Sequence, residues 1–280
     1  MTASITRSDK FKKIIRLTAV AMLWLGLWFL ISALVDKEIL FVSPYRVVLT
    51  FCELVKSVDF WISAGMSLLR VAAGFLLGML FGVTCALIAH ASEFFKTFIG
   101  PLFAVIRATP VASFIILALV WISDDSNVPI FISFLMVSPI AWGNVITGVT
   151  QVDGGLLDMA RVFRFSAFKR IRLIYLPSVM PYIMSAATTG LGLAWKAGIA
   201  AEVLCTPKLS IGRHIYNSKI YLETPQLFAW TTLVVVLSVL LEKALVALMR
   251  KTLRRYNVGG GGNGVKIKEC DRLLWRQTGA

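Results

Sequence analysis

Three charged residues stand within long apolar stretches of the sequence and are the first candidates for chemistry. Arg107, Lys196 and Glu202 occupy positions where a charge is costly if the chain lies in lipid, so each needs a partner or a function. Arg107 is followed by Pro110, which removes a backbone hydrogen bond and predicts a helix kink beside the guanidinium. Two interpretations of Arg107 stay open: it lines a solute pathway, or it reaches the membrane interface or a structural ion pair.

Lys196 and Glu202 stand in one apolar stretch, six residues apart. At about 100° per residue this spacing puts them on different faces of a helix, so we do not expect them to bond each other. Lys196 and its neighbour Trp195 are candidates for lining a cavity, and Glu202 for a structural position or an external gate. Arg107 and Lys196 from two copies of the chain would favour an anionic or polar solute.

The segment from Asp158 to Pro181 is a candidate of a different kind, because it combines aromatic residues with arginines. Read as one helix, it has an apolar stripe at three- and four-residue steps, formed by Leu156, Met159, Ala160, Phe163, Ala167, Ile171 and Ile174. The opposite face carries Asp158, Arg161, Arg164, Phe165, Phe168 and Arg172. Such a face is typical of a protein docking site and equally of an amphipathic helix on anionic lipid.

Other chemistries find no support in the sequence. The four cysteines are far apart without a CxxC pair, and the two histidines are isolated, so neither a zinc site nor a haem site is predicted. The acidic pair Asp124-Asp125 has no partner base, so no catalytic residue is assigned. There is no GxxxxGK[ST] phosphate loop, so we expect ATP hydrolysis, if any, from a separate partner. We predict no cofactor, no metal and no enzyme activity.

The composition indicates a membrane protein. Of the 280 residues, 58% are apolar and 16% are charged, and the mean hydropathy is +0.78. Soluble domains have about 45–50% apolar and about 25% charged residues. So few charges cannot cover the exterior of a soluble core of this size, whereas a lipid-facing surface needs none.

Six apolar stretches are predicted to cross the membrane. About 20 apolar residues span the hydrocarbon core as a helix, because lipid cannot satisfy an open backbone. The stretches are 17–35, 71–89, 97–123 with Arg107 as its interruption, 126–151, 173–195 and 224–241. The first is longer than the core of a signal peptide and lacks a convincing small-residue cleavage site, so we interpret it as a retained anchor. The prediction is an all-α polytopic membrane protein with six transmembrane helices.

The basic residues predict an orientation and a domain organisation. They cluster before the first span, between the fourth and fifth, and after the sixth, whereas the other loops, to which Arg70 is assigned, balance basic with acidic residues. Both termini are therefore predicted to be cytoplasmic, and the net charge of +14 predicts no nucleic-acid partner. The predicted parts are a cytoplasmic segment 1–16, a transmembrane domain 17–250 containing a cytoplasmic loop 153–177, and a glycine-containing cytoplasmic tail 251–280. The end of this tail, 265–280, is either a short amphipathic helix or unstructured.

Gly74, Gly78 and Gly82 recur at four-residue steps and therefore share one helix face. Small residues let the backbones of two membrane helices approach closely, so we predict a helix-packing face here. A glycine hinge is the alternative.

Several motifs resemble one family of transport proteins. The segment that begins Asp158-Met-Ala160 and closes with Leu176-Pro177 resembles the EAA loop of binding-protein-dependent ABC importer permeases. Five further motifs, spread over about residues 40–250, resemble the nitrate/sulfonate/taurine branch of these permeases. They are Phe41-Val-Ser-Pro44, Ser67-Leu-Leu-Arg70-Val-Ala-Ala-Gly74-Phe, Arg107-Ala-Thr-Pro110, Pro139-Ile-Ala-Trp142-Gly-Asn144 and Leu193-Ala-Trp195-Lys-Ala-Gly-Ile-Ala-Ala-Glu202. Their shared order and spacing argue against coincidence.

The resemblance implies a type I ABC importer permease-like fold in a bacterial cytoplasmic (inner) membrane. It also implies that the 153–177 loop is a coupling helix, seated in a groove of a cytoplasmic ATPase. The residues carried over to this role are Asp158, Ala160, Arg161, Arg164, Phe165, Phe168 and Pro177. Two of them depart from the family pattern, because Asp158 replaces a glutamate and Arg164 a glycine. We therefore expect a less sharp bend at Arg164.

The resemblance further implies the partners and the function. The partners are two copies of an ABC ATPase subunit, an extracytoplasmic solute-binding protein, a second copy of the chain (homodimer) or a related permease, and the lipid bilayer. The expected function is to form the pathway for a small anionic or polar organic solute, of the sulfonate, nitrate, taurine or vitamin-precursor type. The alternative is a secondary transporter or channel without an ATPase, for which inverted repeats and an intramembrane ion relay are expected, and no internal repeat is found.

Overall fold

The computed structural model describes residues 7–35 and 41–257, and every regular element in these two ranges is helical. The all-α prediction is confirmed for this part of the chain, whereas the predicted tail segment 265–280 lies outside it. The helices are α1 (Arg7–Val35), α2 (Pro44–Leu54), α3 (Val58–Ala91), α4 (Glu93–Ala108), α5 (Val111–Trp121), α6 (Val128–Thr150), α7 (Gly154–Val162), α8 (Ala167–Arg170), a π-helical segment (Ile171–Tyr175), α9 (Leu176–Cys205), α10 (Ile211–Ile220) and α11 (Thr224–Asn257).

Four of the described helices are long and apolar enough to cross a membrane, at Thr18–Val35, Val58–Ala91, Val128–Thr150 and Thr224–Met249. A fifth span results if α4 and α5, which meet at a sharp bend, are counted together. The 30-residue helix α9 covers the remaining predicted span, but its many serine, threonine, glycine and proline residues keep it less apolar. Six spans therefore remain a prediction.

The predicted kink at Pro110 is confirmed, and the helix is in fact broken into two at this point. The axes of α4 and α5 meet at 107°. Thr109 is extended, with φ −83° and ψ 134°, as the residue before a proline prefers, and Pro110 stands immediately before α5. The sequence stretch 97–123 thus forms two helices rather than one straight span.

One compact unit of the chain comprises Met1–Ser63 and His214–Val234. Aromatic rings fill the interior of its described part. Phe60 packs against Trp230 with 5.1 Å between ring centroids, and His214 stacks on the same indole at 4.4 Å. Because aromatic rings bury large areas, this cluster is the main apolar contact between the described elements of this unit.

A second compact unit comprises Ala64–Arg213 and Val235–Ala280, and its centre is the antiparallel pair α6 and α9. Near the start of α6, the Ser133 hydroxyl donates to the Ala194 carbonyl, late in α9, at 3.2 Å. Near the end of α6, Gly148 lies against the ring of Tyr182, early in α9. The segment 151–175 joins the two helices at this second end.

The three glycines of α3 lie against α6 in the same unit. Gly74 faces Ile130 and Ser133, and Gly82 faces Ser138 and Ala141. Between them, a methyl group on Gly78 would lie 2.8 Å from the Phe134 carbonyl oxygen and 2.8 Å from Val137 Cβ. The two backbones are therefore in contact along this face, which leaves no space for any larger residue.

This contact predicts that Gly78→Ala destabilises the folded protein by about 1–3 kcal/mol, because an overpacked methyl group forces the helices apart. The measurement is thermal unfolding of the detergent-purified protein. Gly65→Ala on the same helix is the control, since a methyl group there meets no atom within 4 Å. An alanine at that position should leave the stability unchanged or raise it by about 0.5–1 kcal/mol. Equal effects of the two substitutions would contradict the packing assignment.

Candidate functional site

The segment between α6 and α9 folds as two short helices that meet at a sharp turn. Asp153 caps α7 by accepting a hydrogen bond from the Gly155 amide at 2.8 Å. Ser166 caps α8 in the same way, accepting from the Lys169 amide at 3.3 Å. From α8 the chain continues through the π-helical segment into α9. The single continuous helix that the apolar stripe assumed is therefore wrong.

Arg164 makes the turn possible by adopting a left-handed conformation, with φ 49°. The Phe165 amide donates to the Ala160 carbonyl at 2.9 Å and the Arg164 amide to the Arg161 carbonyl at 3.0 Å. This pair of bonds is the Schellman motif, which ordinarily has glycine at the left-handed position. The expectation of a less sharp bend at Arg164 is wrong, because the arginine adopts the left-handed conformation and both hydrogen bonds of the motif are present.

The turn changes which aromatic residues reach the surface. The stripe placed Phe163 on the buried face, but its side chain is 67% exposed. Phe165, expected on the open face, is half-buried, and the Lys169 ammonium lies 4.5 Å from its ring centroid. Phe168 is 72% exposed, as expected from the sequence, and Ala160 is buried beneath α7. We call the exposed pair Phe163 and Phe168 the aromatic patch.

The charged residues of the same segment are exposed at the surface. Asp158 accepts a hydrogen bond from Arg161 at 3.3 Å, and both side chains are exposed, so the pair contributes little to stability. Arg164 and Arg172 are exposed as well. Pro177, in the first turn of α9, is exposed, and its missing amide falls where the π-helical segment passes into α9.

Arg107 reaches the middle of a membrane-spanning helix. Its Nη2 donates to the Pro139 carbonyl at 2.9 Å, and its guanidinium carbon lies 5.8 Å from the centroid of the Trp142 ring. Pro139 is the midpoint of α6, whose 23 residues have a length of about 35 Å. Gly143 makes room for the guanidinium, because a methyl group there would lie 2.9 Å from Nη2. The guanidinium is therefore level with the middle of α6, and both interpretations of Arg107 stay predictions.

Lys196 lies on an exposed face of α9, closer to the start of α6. The Ser133 hydroxyl of α6 bonds the Ala194 carbonyl, and a methyl group on Gly198 would lie 2.7 Å from the same oxygen. Lys196 stands between these two positions and is therefore level with Ser133. Among the described residues, its ammonium has no hydrogen bond or ion pair. Since six residues separate Ser133 from Pro139, the backbone of Lys196 and the guanidinium of Arg107 differ in level by about 9 Å along α6.

Glu202 is fully buried and belongs to a polar network between α3 and α9. Its carboxylate accepts from the Ser67 hydroxyl at 2.6 Å and from the Gly212 amide at 3.3 Å. Arg70 Nη1 lies 3.4 Å from the other carboxylate oxygen, and this arginine is only 6% exposed. A buried pair of this kind is strongly destabilised when one partner is removed.

Sequence reasoning missed Ser67 and Arg70. Arg70 was assigned to the outer loops, which is wrong, because it lies within α3 and is buried. A signal was available, since a carboxylate in an apolar stretch requires a cation or several donors, and Ser67 and Arg70 share a helix face at a three-residue spacing. The predicted separation of Lys196 from Glu202 is confirmed by their burial, one exposed and one buried. Trp195 is buried as well.

Histidine, cysteine and acidic side chains are the remaining candidates for chemistry in the part of the chain that the structure describes. No group of three or more histidine, cysteine or acidic residues is arranged to hold a metal ion there. Ser63 and Asp59 both contact the same ring nitrogen of His214, at 3.0 and 3.3 Å. A nucleophilic triad needs the serine and the carboxylate on opposite nitrogens, so these three residues do not form one.

Comparison with known proteins decides the family. Residues 74–255, more than half of the chain, match the family described as the binding-protein-dependent transport system inner membrane component. The chain belongs to this family. It is an ABC importer permease subunit of the nitrate/sulfonate branch and a multi-pass membrane protein.

The names of similar proteins mention different solutes. A Bacillus subtilis protein named as an aliphatic sulfonates transport permease, SsuC, is 27% identical over 83% of this chain and 84% of its own length. The bicarbonate transport system permease protein CmpB of Synechococcus elongatus is 31% identical over 54% of this chain and 55% of its own length. The nitrate import permease protein NrtB of Leptolyngbya laminosa is 30% identical over 57% of this chain and 56% of its own length.

Solved structures with the same fold are ABC transporters by title. The permease resembles a chain of a bacterial ABC transporter involved in the import of the acidic polysaccharide alginate, with a TM-score of 0.59 and 17% identity. The similarity covers 86% of this chain and 98% of that one. A chain of an amino acid ABC transporter gives a TM-score of 0.54 and 18% identity over 68% of this chain and 90% of that one. At these identities the similarity establishes the fold alone.

The left-handed Arg164 of the permease makes a testable prediction. A residue with a side chain costs about 1–2 kcal/mol in this conformation, whereas glycine costs little. Arg164→Gly should therefore slow amide hydrogen exchange in the α7–α8 turn about fivefold, as measured by mass spectrometry. Arg161→Gly, in the last turn of α7, is the control and should speed exchange, because glycine at a residue in helical conformation costs up to about 1 kcal/mol. Faster exchange in Arg164→Gly would contradict the assigned turn.

Proposed function

We propose that the chain forms the translocation pathway for a small anionic solute, and that a separate ATPase drives it through the 153–177 loop. The observation that carries this proposal is Lys196, an exposed ammonium on a membrane helix with no ion pair among the described residues. Such a side chain facing lipid costs at least about 2.5–3.5 kcal/mol. An aqueous pathway or a polar neighbour on another subunit removes that cost.

Arg107 supports the pathway at a second depth. Its guanidinium is exposed at the midpoint of α6, beside the break between α4 and α5. Broken helices in membranes occur where the backbone lines a cavity, since lipid cannot satisfy the freed groups. The Trp142 ring lies under this guanidinium and supports it from the protein side, with its own N–H buried away from the proposed pathway.

Two cations carried by residues at different levels of the membrane helices suit an anion that passes from one to the other. The names of the three relatives fit this charge, because sulfonates, bicarbonate and nitrate are all anions. We propose a small anion of this kind as the solute, and a taurine-type zwitterion or a vitamin precursor with an acidic group as the second choice. The fully buried Glu202 has no part in this contact.

We place the permease in a bacterial cytoplasmic (inner) membrane, with six spans and both termini in the cytoplasm. The basic residues of the 153–177 loop support this orientation through the excess of positive charge on cytoplasmic loops. In this orientation α9 is the fifth span, and the loop between α9 and α10 faces outward. Lys196 then lies in the outer half of the membrane and Arg107 at its middle.

The aromatic patch is the proposed contact with the ATPase. Exposed phenylalanines among arginines bury well against an apolar groove with an acidic rim, and few residues carry most of the energy of such contacts. The caps at Asp153 and Ser166 and the Schellman turn hold the patch in one conformation, which reduces the entropy lost on docking. Asp158, Arg161 and Arg164 would form the polar rim around it.

The proposed assembly contains two permease chains, two ATPase subunits and an extracytoplasmic solute-binding protein. The measured mass of the complex will show whether the second permease chain is a copy of this one or a related protein. The test is native mass spectrometry of the tagged chain, extracted from its own bacterial membranes in mild detergent. We expect two permease chains with two nucleotide-binding subunits. A chain recovered without any nucleotide-binding subunit would contradict the proposal.

A further inference from the structure

The loop between α9 and α10 is hydrogen-bonded to a buried side chain of α3, that of Arg70. Arg70 Nη2 donates to the Lys208 carbonyl at 2.9 Å, and Nη1 donates to the Leu209 carbonyl at 3.1 Å. Only one long contact, at 3.4 Å, joins the guanidinium to Glu202. The two terminal nitrogens of Arg70 therefore mainly fix the loop backbone. The Glu202 carboxylate balances the positive charge of the guanidinium.

A second anchor lies one turn earlier on α3. The Ser67 hydroxyl accepts from the Ile211 amide at 3.0 Å and donates to Glu202 at 2.6 Å. Gly212 lies so close to Glu202 that no side chain fits between them. The start of α10 is thus fixed to the same buried network as the loop that precedes it.

The loop backbone is strained in two places. Thr206 has φ 47° and Leu209 has φ 52°, and neither residue is glycine. The left-handed conformation costs about 1–2 kcal/mol for each such residue, and a β-branched threonine is an unusual choice for it. Strain of this size persists only where surrounding contacts impose it, and it is concentrated at sites with a function. For Leu209 the imposing contacts are the two hydrogen bonds that Arg70 makes to the Lys208 and Leu209 carbonyls. Thr206 ends α9 in the left-handed conformation of a helix C-cap, with its amide bonded to the Glu202 carbonyl.

The strained backbone turns its carbonyls inward and leaves two side chains at the surface. Lys208 is exposed, and Leu209 is 45% exposed. Lys208 and Leu209 present a cation beside an apolar side chain on a fixed backbone. This arrangement suits a surface that has an anionic group beside an apolar one. Because the backbone is already ordered, little conformational entropy is lost when it binds.

We propose that Lys208 and Leu209 are a docking contact for the solute-binding protein, which meets them with a carboxylate beside an apolar patch. Arg70 and Ser67 act as positioning residues for this contact. The inference rests on the proposed function, which places this loop on the outer face of the membrane. An anionic lipid headgroup would also attract Lys208, but it requires neither a fixed backbone nor an apolar neighbour. The rigid loop favours a protein partner.

The test measures ATP hydrolysis by the purified importer in detergent as its solute-binding protein is titrated. Lys208→Glu should raise the half-stimulating concentration about tenfold and leave the maximal rate unchanged, because docking weakens while the pathway is intact. Lys219→Glu, the same charge change at an exposed position of α10, is the control and should leave both values unchanged.

The positioning role is tested by Arg70→Lys, which keeps the charge but loses the fork that bonds two carbonyls. It should raise the half-stimulating concentration about fivefold at an unchanged maximal rate. In a chain that already carries Lys208→Glu and Leu209→Ala, Arg70→Lys should add nothing, since the contact it positions is gone. A merely structural arginine would lower the amount of folded protein or the maximal rate in both backgrounds.

Several outcomes would overturn the inference. They are an unchanged half-stimulating concentration in Lys208→Glu, an equal change in Lys219→Glu, and an undiminished effect of Arg70→Lys in the doubly substituted chain. An effect of Lys208→Glu that appears only in vesicles of anionic lipid and not in detergent would assign the residue to the membrane instead. A wild-type importer that its binding protein does not stimulate at all would contradict the proposed function itself.

Discussion

Replacing Phe168 with glutamate is expected to abolish the ATP hydrolysis that the solute-binding protein stimulates, while the chain still inserts and folds. The Phe168 side chain is 72% exposed on the short helix α8, so its loss removes almost no internal packing. A carboxylate at the centre of a docked apolar patch would be desolvated without a partner, which costs several kcal/mol. Docking of the ATPase, and with it hydrolysis, should fall at least about 100-fold.

The measurement is stimulated ATP hydrolysis of the complex, together with the amount of ATPase recovered with the tagged chain. Phe94→Glu is the matched control, because Phe94 is 83% exposed at the start of α4, on the same predicted side of the membrane but outside the loop. It should leave both quantities near the wild-type values. Wild-type hydrolysis and recovery in Phe168→Glu would show that the aromatic patch is not the ATPase contact.

Replacing Lys196 with methionine is expected to reduce the uptake of a small anion at least tenfold, with little effect on assembly. Methionine keeps the length and the apolar stem of lysine but removes the charge that would attract the anion, worth about 1–3 kcal/mol at such a site. Because the ammonium has no partner in the described part of the chain, its removal leaves no buried charge behind. The half-saturating anion concentration should rise.

The measurement is uptake of isotope-labelled nitrate, bicarbonate or ethanesulfonate by cells that express the importer. Lys196→Arg serves as the control, since it keeps the cation at the same level and should retain most of the uptake. Unchanged uptake kinetics in Lys196→Met would remove this residue from the pathway. Loss of the assembled complex in the same variant would assign it to a structural role instead.

Features that depend on local spacing could be predicted from the sequence. The glycines at four-residue steps lie on one face of α3, and Pro110 interrupts the helix that contains Arg107. Lys196 and Glu202 point in different directions because six residues of helix separate them. Each of these follows from the geometry of a single helix, which is the same in any fold.

Features that depend on a reversal of the chain could not be predicted in this way. A stripe drawn along one helix put Phe163 inside and Phe165 outside, whereas the left-handed Arg164 ends the helix between them and exchanges their environments. The family pattern marks this position with glycine, and the structure keeps the glycine conformation with an arginine. Helical periodicity assumes one continuous helix and therefore cannot predict such a turn.

Hydrogen-bond partners that are distant in sequence could not be predicted either. The bond between Ser67 and Glu202 joins residues 135 positions apart, and only packing of α3 against α9 brings them together. The sequence indicated that Glu202 needs a partner but not which cation supplies it. Once Arg70 is known to be buried, its place in the loop network follows, since a buried guanidinium needs acceptors for each of its donors.

The most direct test of the account is anion uptake into proteoliposomes that contain the purified permease and its ATPase, with the binding protein outside. Labelled nitrate, bicarbonate and ethanesulfonate are supplied in turn, with ATP or a non-hydrolysable analogue inside. We expect that at least one anion accumulates with ATP and none with the analogue. Accumulation of an anion by the permease alone, driven by an ion gradient without ATP, would contradict it and indicate a secondary transporter.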